Sequence, residues 1–180
     1  IVSDDHSYQA ISAYGQQLMS TPHIDRIARE GVLFKKAYVT NSICGPSRAV
    51  ILTGKYSHKN GFKDNDNSRF DGVQNTFIKE LTKKGYQTAW VGKWHLESQP
   101  QGFTFWQILP GQGHYYNPDF LHMDGSRKRM EGYIANVVED VAEQWLDTRD
   151  TTKPFCLVIG HKNTHRTWLP DTTDLGMFDN

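Results

Sequence analysis

Residues 43–54 read Ile-Cys-Gly-Pro-Ser-Arg-Ala-Val-Ile-Leu-Thr-Gly, a loop cysteine followed at once by the pattern of a buried helix. Pro46 suits the first helical position, because its missing N–H is one of the donors that a helix start leaves unpaired. The apolar run after Arg48 stops at Gly54, which predicts the end of the helix there. We therefore expect Cys44 just outside a helix N-terminus, where partial positive charge and free N–H groups stabilise anions.

Arg48 adds to this predicted anion site. It lies about one turn into the helix, so its planar guanidinium, with several donors, could point back to Cys44. By spacing alone, a capped core helix with a buried thiol explains the same residues. Both interpretations stay open at this point.

The net charge and the short apolar runs argue against a nucleic-acid binder and a membrane-spanning protein. The 180 residues contain 20 Lys and Arg and 20 Asp and Glu, and this zero net charge argues against a nucleic-acid binder. No apolar run approaches the roughly 18 residues that a membrane span needs. The two cysteines, Cys44 and Cys156, do not make a disulfide framework, and we interpret Cys156 as a small buried hydrophobe in a strand.

Two adjacent carboxylates, Asp4 and Asp5, follow what reads as the end of a strand at residues 1–2. Ligands bind at the carboxyl ends of strands in α/β folds, and paired hard oxygen ligands suit Ca²⁺ or Mg²⁺. A helix cap or a surface turn would need only one of the two acids. Taken alone, the pair is compatible with a metal site and with a plain turn.

A second polar pair follows the strand predicted over residues 86–91, in the sequence Gly92-Lys93-Trp94-His95. If the chain stays extended, Lys93 and His95 project to the same side. An ammonium beside an imidazole suits an oxyanion such as sulfate or phosphate, and the histidine can also move a proton near neutral pH. Such a pair also occurs without any function.

Strand-like and helix-like segments alternate along the chain. Apolar runs predict strands over residues 37–39, 86–91 and 155–159, and amphipathic patterns predict helices over residues 21–31, 75–85 and from residue 131 onwards. This alternation predicts an α/β fold with a mostly parallel central sheet, helices on both faces and a site at the carboxyl edge of the sheet.

Two long segments are predicted to be loops. Residues 55–74 are polar and rich in Asn, Asp and Gly, and a loop of that length is often functional. Residues 99–125 look irregular and aromatic, which suits either a carbohydrate pocket or a loop layer packed on the core; their rings include Phe103, Phe105, Trp106, Tyr115, Tyr116 and Phe120.

The stretch from Cys44 to Gly54 resembles the signature of the type I sulfatases of the alkaline phosphatase superfamily. In that family Cys-x-Pro-Ser-Arg precedes an apolar run and Thr-Gly, and the cysteine is oxidised after translation to Cα-formylglycine. Residues 92–95 resemble the family's Gly-Lys-Trp-His segment, and the Asp pair at residues 4–5 stands in the family's order. The resemblance implies the alkaline-phosphatase-like sulfatase fold over most of the chain.

Residues 160–168, Gly-His-Lys-Asn-Thr-His-Arg-Thr-Trp, resemble the sulfatase segment that supplies a sulfate-binding histidine. By that register His165 is the active-site residue and His161 supports it. Thr164 stands where the family commonly has proline, which leaves the expected role of His165 intact.

What the resemblance implies is hydrolysis of sulfate esters by covalent catalysis. Cys44, as hydrated formylglycine, would attack sulfur, with Ca²⁺ (in preference to Mg²⁺) held by Asp4, Asp5 and the oxidised Cys44. Arg48 and Lys93 would offset developing charge. His95 would hydrogen-bond the hydrate, and His165 would hold the sulfate ester. The implied catalytic residues are Cys44, Arg48, Lys93, His95 and His165.

Residues 111–120 and the segment after residue 160 resemble bacterial sulfatases that act on 6-O-sulfated N-acetylglucosamine of mucin or heparan-type glycans. Another glycosaminoglycan sulfatase, a phosphonate monoesterase and a non-catalytic glycan-binding fragment are the alternatives. The implied partners are a sulfated glycan and the maturase that generates formylglycine, with no nucleic acid and no membrane span. A polymeric substrate implies a periplasmic or secreted protein.

We expect residues 1–180 to be the N-terminal portion of one sulfatase catalytic domain, cut at both ends, because catalytic domains of that family are much longer. A second metal-binding pair, Asp-Asn or Asp-His, and a later active-site lysine are then expected beyond Asn180. We expect the isolated fragment to be poorly active or inactive.

Overall fold

The computed structural model describes residues 1–15 and 18–179, in which the chain divides into two compact units. The larger unit comprises residues 1–4 and the chain from Thr40 onwards, and the smaller unit is Asp5–Val39. The helices are α1 (Pro22–Glu30), α2 (Cys44–Thr53), α3 (Ser57–Asn60), α4 (Phe77–Lys83) and α5 (Ile134–Thr148). The strands are β1 (Gln87–Lys93), β2 (Phe105–Leu109), β3 (Asp119–His122), β4 (Arg127–Arg129) and β5 (Phe155–Gly160).

A five-stranded sheet of order β4-β3-β2-β1-β5 forms the centre of the larger unit. β1 pairs in parallel with β2 and β5, and the antiparallel hairpin of β3 and β4 extends one edge. Side chains alternate between the two faces, so Trp90 packs with residues of α2 and α4 while Val91 packs with residues of α5. The predicted α/β fold with helices on both faces is confirmed, and the sheet is mixed, with two parallel and two antiparallel pairings among the described strands.

Two details of the sheet differ from the expectation. Residues 99–125 are not irregular throughout, because the short strands β2 and β3 lie within them. Cys156 was expected to be buried, yet β5 ends the strand order, and among the described residues its outer neighbour is a single bridge between Val2 and Gly160. Residues 156–159 of β5 are consequently half-buried rather than buried, and Phe155 is exposed.

The smaller unit contains the predicted helix over residues 21–31 as α1, but α1 buries none of its residues. Residues 37–39 were predicted as a strand and are not one, since no strand pairs with them in the described part of the chain. The carboxylate of Asp25 accepts hydrogen bonds from the hydroxyls of Ser12 (2.7 Å) and Thr21 (2.9 Å), which lower the pKa of Asp25.

Membrane insertion through a helix finds no support in the described residues, where no helix combines the length and the apolar character that a span requires.

β1 and β5 approach each other most closely just before Lys93. A Cβ placed on Gly92 would lie 2.1 Å from the carbonyl oxygen of Gly160, and Gly92 has a φ of +97°, a conformation that favours glycine. Two glycines at this crossing let the ends of both strands meet, which brings the segments that follow them together.

Gly92→Ala is expected to lower the free energy of unfolding by about 3 kcal/mol or more, because the left-handed strain adds to a clash with backbone. Gly85→Ala is the matched control, since Gly85 has a φ of +85° with no atom within 4 Å of an added Cβ. It should cost only the strain, about 1–2 kcal/mol. Urea unfolding of both variants measures the difference, and equal costs would contradict this explanation.

Candidate active site

Asp4 occupies the carboxyl edge of the sheet and is fixed there by its own backbone. Its N–H donates to the carbonyl of Asn163 (2.8 Å), and its carbonyl accepts from the N–H of Thr164 (2.6 Å). Both partners lie just after β5, so the segment after β5 holds Asp4 in place. The side chain is 5% exposed.

The buried carboxylate of Asp4 lies against two buried cations. Lys93 Nζ donates a hydrogen bond to Asp4 Oδ2, and Arg48 Nη2 lies 3.6 Å from Oδ1. Burial raises the pKa of Asp4, but the hydrogen bond from Lys93 and the charges of Arg48 and Lys93 together bring it below the usual range. Asp4 is therefore a carboxylate balanced by cations.

Helix α2 brings Cys44 to this carboxylate, with Cys44 Sγ 3.6 Å from Asp4 Oδ1. The helix begins at Cys44 itself, with Ile43 in the cap position, so the predicted start at Pro46 was two residues too late. The side chain of Arg48 points back to Cys44 as predicted, since its Nη1 donates to the carbonyl of Cys44 (3.0 Å). The end at Gly54 is as predicted.

Lys93 ends β1 and is fully buried. Besides its bond to Asp4, its Nζ donates to Oε1 of Gln112 and lies 3.8 Å from Cys44 Sγ. Lys93 therefore links the strand end, the helix start and the loop after β2.

His95 follows two residues later, but the chain does not stay extended as expected, since His95 has a φ of +53°. The side chain is buried, and its Nδ1 has no hydrogen-bond partner among the residues that the structure describes. Burial, with the nearby charges of Lys93 and Arg48, lowers the pKa of His95 to about 4. The imidazole is consequently neutral at neutral pH.

His165 is buried at the same place. Its Nδ1 lies 2.7 Å from the carbonyl of Arg166, and Tyr115 donates its hydroxyl to the carbonyl of His165. One ligand atom each from Asp4, Cys44 and His165 lie within 4.8 Å of one another. The structure thus brings together these three residues, and Arg48 and Lys93 contact them.

Two further residues were named from the sequence, Asp5 and His161. Asp5 belongs to the smaller unit, so its role as a metal ligand stays a prediction. His161 lines a groove with Glu139 of α5, and burial lowers its pKa.

Most of the aromatic side chains of residues 99–125 support the packing interpretation. Those that are buried in the two core clusters or on the sheet are Phe103, Trp106, Tyr115 and Phe120. Tyr116 is 38% exposed, and its hydroxyl donates to the carbonyl of Pro170.

Three supporting residues were missed from the sequence: Gln112 on Lys93, Tyr115 on His165, and Asn65, whose Oδ1 accepts from the N–H of Gly45 (3.0 Å). Each lies in a segment that was predicted to be a loop. The position of Gln112 between two glycines could have indicated a functional turn, but the local sequence does not show that its partner is Lys93.

The arrangement combines a buried carboxylate, two cations, a thiol and two histidines. Arg48 has its Nε and Nη2 buried without hydrogen-bond partners in the described part of the chain, so these donors remain for a bound anion. A tetrahedral oxyanion satisfies such donors, and a carboxylate beside it can hold a cation.

Comparison with known proteins identifies relatives along the whole chain. The family model described as Sulfatase matches residues 1–174. N-acetylglucosamine-6-O-sulfatase of Bacteroides thetaiotaomicron is 51% identical over 183 residues, covering 100% of this chain and 32% of that protein. The Ulvan-active sulfatase of Formosa agariphila is 31% identical, covering 91% of this chain and 29% of that protein. The chain thus spans about a third of the length of these curated relatives.

Two solved structures are also similar to this chain. A structure of a protein in complex with its substrate D-glucosamine-2-N,6-O-disulfate has a TM-score of 0.96 and 51% identity, covering 99% of this chain and 36% of that one. The crystal structure of Ps i-CgsB has a TM-score of 0.90 and 28% identity, covering 99% of this chain and 47% of the other.

Lys93→Met is expected to lower the free energy of unfolding, measured with a metal chelator present, by about 3–5 kcal/mol, because it leaves the buried carboxylate of Asp4 with a weaker partner. The matched control is Lys83→Met, which breaks a surface pair with Glu80 (2.7 Å) whose side chains are 66% and 49% exposed. That change should cost less than about 1 kcal/mol. A loss at Lys93 no larger than at Lys83 would show that the buried pair is not stabilising.

Proposed function

The chain belongs to the sulfatase family, and from that premise we propose that the protein hydrolyses sulfate esters of a carbohydrate, with 6-O-sulfated N-acetylglucosamine of mucin or heparan-type glycans as the substrate class. The observation that carries the proposal is the convergence of Asp4, Arg48 and Lys93 on Cys44. The name of the 51% identical relative supports the choice of sugar.

Cys44 is proposed to act as formylglycine, made by a maturase that is one of the protein's partners. The hydrated aldehyde supplies the hydroxyl that attacks sulfur. Arg48 binds that end of the helix through the Cys44 carbonyl and keeps two buried donors for oxygens of the nucleophile or the sulfate. Lys93, 3.8 Å from Cys44 Sγ, offsets the charge that develops there.

Ca²⁺ is the metal that fits the donors. The carboxylate of Asp4 is a hard oxygen ligand of the kind Ca²⁺ prefers, whereas a thiol is soft, so Cys44 suits this ion only in its oxidised form. We propose Asp4 and oxidised Cys44 as ligands, with Asp5 as a further one. Mg²⁺ fits less well because it demands near-ideal octahedral geometry. When bound, the ion lowers the pKa of the attacking hydroxyl and neutralises charge on sulfate oxygens.

The two histidines have different proposed tasks. His95 is neutral at neutral pH and can therefore accept the proton of the remaining hydroxyl of residue 44, while the C–O bond to sulfate breaks and the aldehyde re-forms. His165, whose carbonyl accepts a hydrogen bond from Tyr115, is proposed to bind the sulfate ester and to assist the departing sugar oxygen. A polymeric glycan substrate further supports a periplasmic or secreted location.

Cys44→Ala in the full-length protein, produced with a maturase, is expected to reduce kcat/KM on N-acetylglucosamine 6-sulfate by more than about 10³-fold, because it removes the nucleophile. Cys156→Ala is the matched control and should retain activity, since that thiol lies on β5 away from the Asp4 cluster.

Release of sulfate from defined sugars, measured beside hydrolysis of a phosphonate monoester, separates the sulfatase from the esterase alternative. Substantial sulfate release by the Cys44→Ala variant would contradict the proposed nucleophile.

A further inference from the structure

The loop after α3 returns to the start of α2. Asn65 lies on this loop, and its Oδ1 accepts a hydrogen bond from the N–H of Gly45 (3.0 Å), the residue next to Cys44. The two partners are 20 residues apart in the sequence.

Helix α2 lacks a local cap at this end. Ile43 occupies the cap position and its side chain makes no capping hydrogen bond. A cap side chain normally accepts from the N–H of the second or third helical residue. The third residue here is Pro46, which has no N–H, so only Gly45 can donate to a cap, and Asn65 takes that donor.

Gly45 is closely surrounded by other atoms. A Cβ on Gly45 would lie 2.6 Å from the ring of Phe62, 2.7 Å from the carbonyl oxygen of His95 and 2.8 Å from Asn65 Oδ1. The peptide that follows Cys44 is therefore enclosed by a core ring, by the backbone after β1 and by the amide of Asn65. A shift of Asn65 frees one side of this enclosure.

The turn that presents Asn65 contains several hydrogen bonds of its own. Asp64 Oδ1 accepts from the N–H of Asp66 (2.9 Å) and of Asn67 (2.6 Å), and Ser68 Oγ accepts from the N–H of Asp64 (3.2 Å). The hydrogen bonds that the carboxylate accepts, that from the N–H of Asn67 foremost, lower the pKa of Asp64. Asn65 thus projects from a hydrogen-bonded turn.

We propose that Asn65 is a positioning residue that sets the place of Cys44 relative to Lys93 and His95. The inference rests on the proposed function for its catalytic consequence, but not for its structural one. Cys44 is held through two groups on the helix start: its carbonyl by Arg48, and the next N–H by Asn65. Without Asn65, the side chain of residue 44 leaves its place beside Asp4 and Lys93.

Kinetics of the matured full-length protein give the first test. Asn65→Ala is expected to lower kcat about 10- to 100-fold with KM changed less than about threefold, because misplacement of a reacting group weakens transition-state binding alone. Asn65→Asp keeps the acceptor and should restore kcat to within about threefold of the unchanged protein. Asn67→Ala, in the same turn, is the control and should have no effect.

Alkylation of the Cys44 thiol gives a second test that does not need activity. In full-length protein made without a maturase, with alkylation by iodoacetamide followed through the mass of the peptide that contains Cys44, Asn65→Ala should raise the rate at that thiol at least about threefold, since the thiol leaves the buried cluster. Asn65→Asp should restore the slow rate.

The two tests separate the possible failures. The proposal would be overturned if Asn65→Ala left the alkylation rate unchanged. It would also be overturned if this variant lowered the unfolding midpoint but left kcat unchanged, because Asn65 would then be only a structural cap. Failure of Asn65→Asp to restore either readout would also overturn it. Lack of any sulfate release by the fully matured, unchanged protein would instead refute the proposed function, while the alkylation result still decides the role of Asn65.

Discussion

The buried carboxylate of Asp4 is the group on which the site depends. Asp4 is a residue that is 5% exposed, and its carboxylate would cost much free energy there without cations and hydrogen bonds. Lys93 and Arg48 provide the charges, and Lys93 also donates a hydrogen bond. Lys93 ends β1 and Arg48 belongs to α2, so their interactions with Asp4 hold the end of the strand beside the start of the helix. Cys44, at the first position of α2, lies there as a result.

The backbone makes that meeting possible. Gly92 and Gly160 let β1 and β5 approach until no Cβ fits between them, and the segment after β5 binds both the N–H and the carbonyl of Asp4. The glycine crossing and these two hydrogen bonds are fixed by the fold rather than by any ligand. These contacts within the chain set the positions of the two strand ends and of Asp4.

Local patterns predicted those parts of the fold that local chemistry determines. α1, α4 and α5 follow from amphipathic spacing, and β1 from an apolar run. β2 and β3 were missed because short strands between turns carry too little periodicity. The start of α2 was misplaced because its cap acceptor is Asn65, a non-local partner. The group of Asp4, Cys44, Arg48 and Lys93 was named from motifs, but Gln112, Tyr115 and Asn65 act through tertiary contacts that no spacing encodes.

The central claim is that this cluster surrounds a formylglycine at position 44 rather than a thiol. The most direct measurement is the mass of the peptide that contains Cys44, taken from the full-length protein matured in its native host. The account predicts a residue in which one oxygen replaces the sulfur and two hydrogens are lost. An unmodified cysteine in that material would contradict it and would leave the cluster as a scaffold for binding alone.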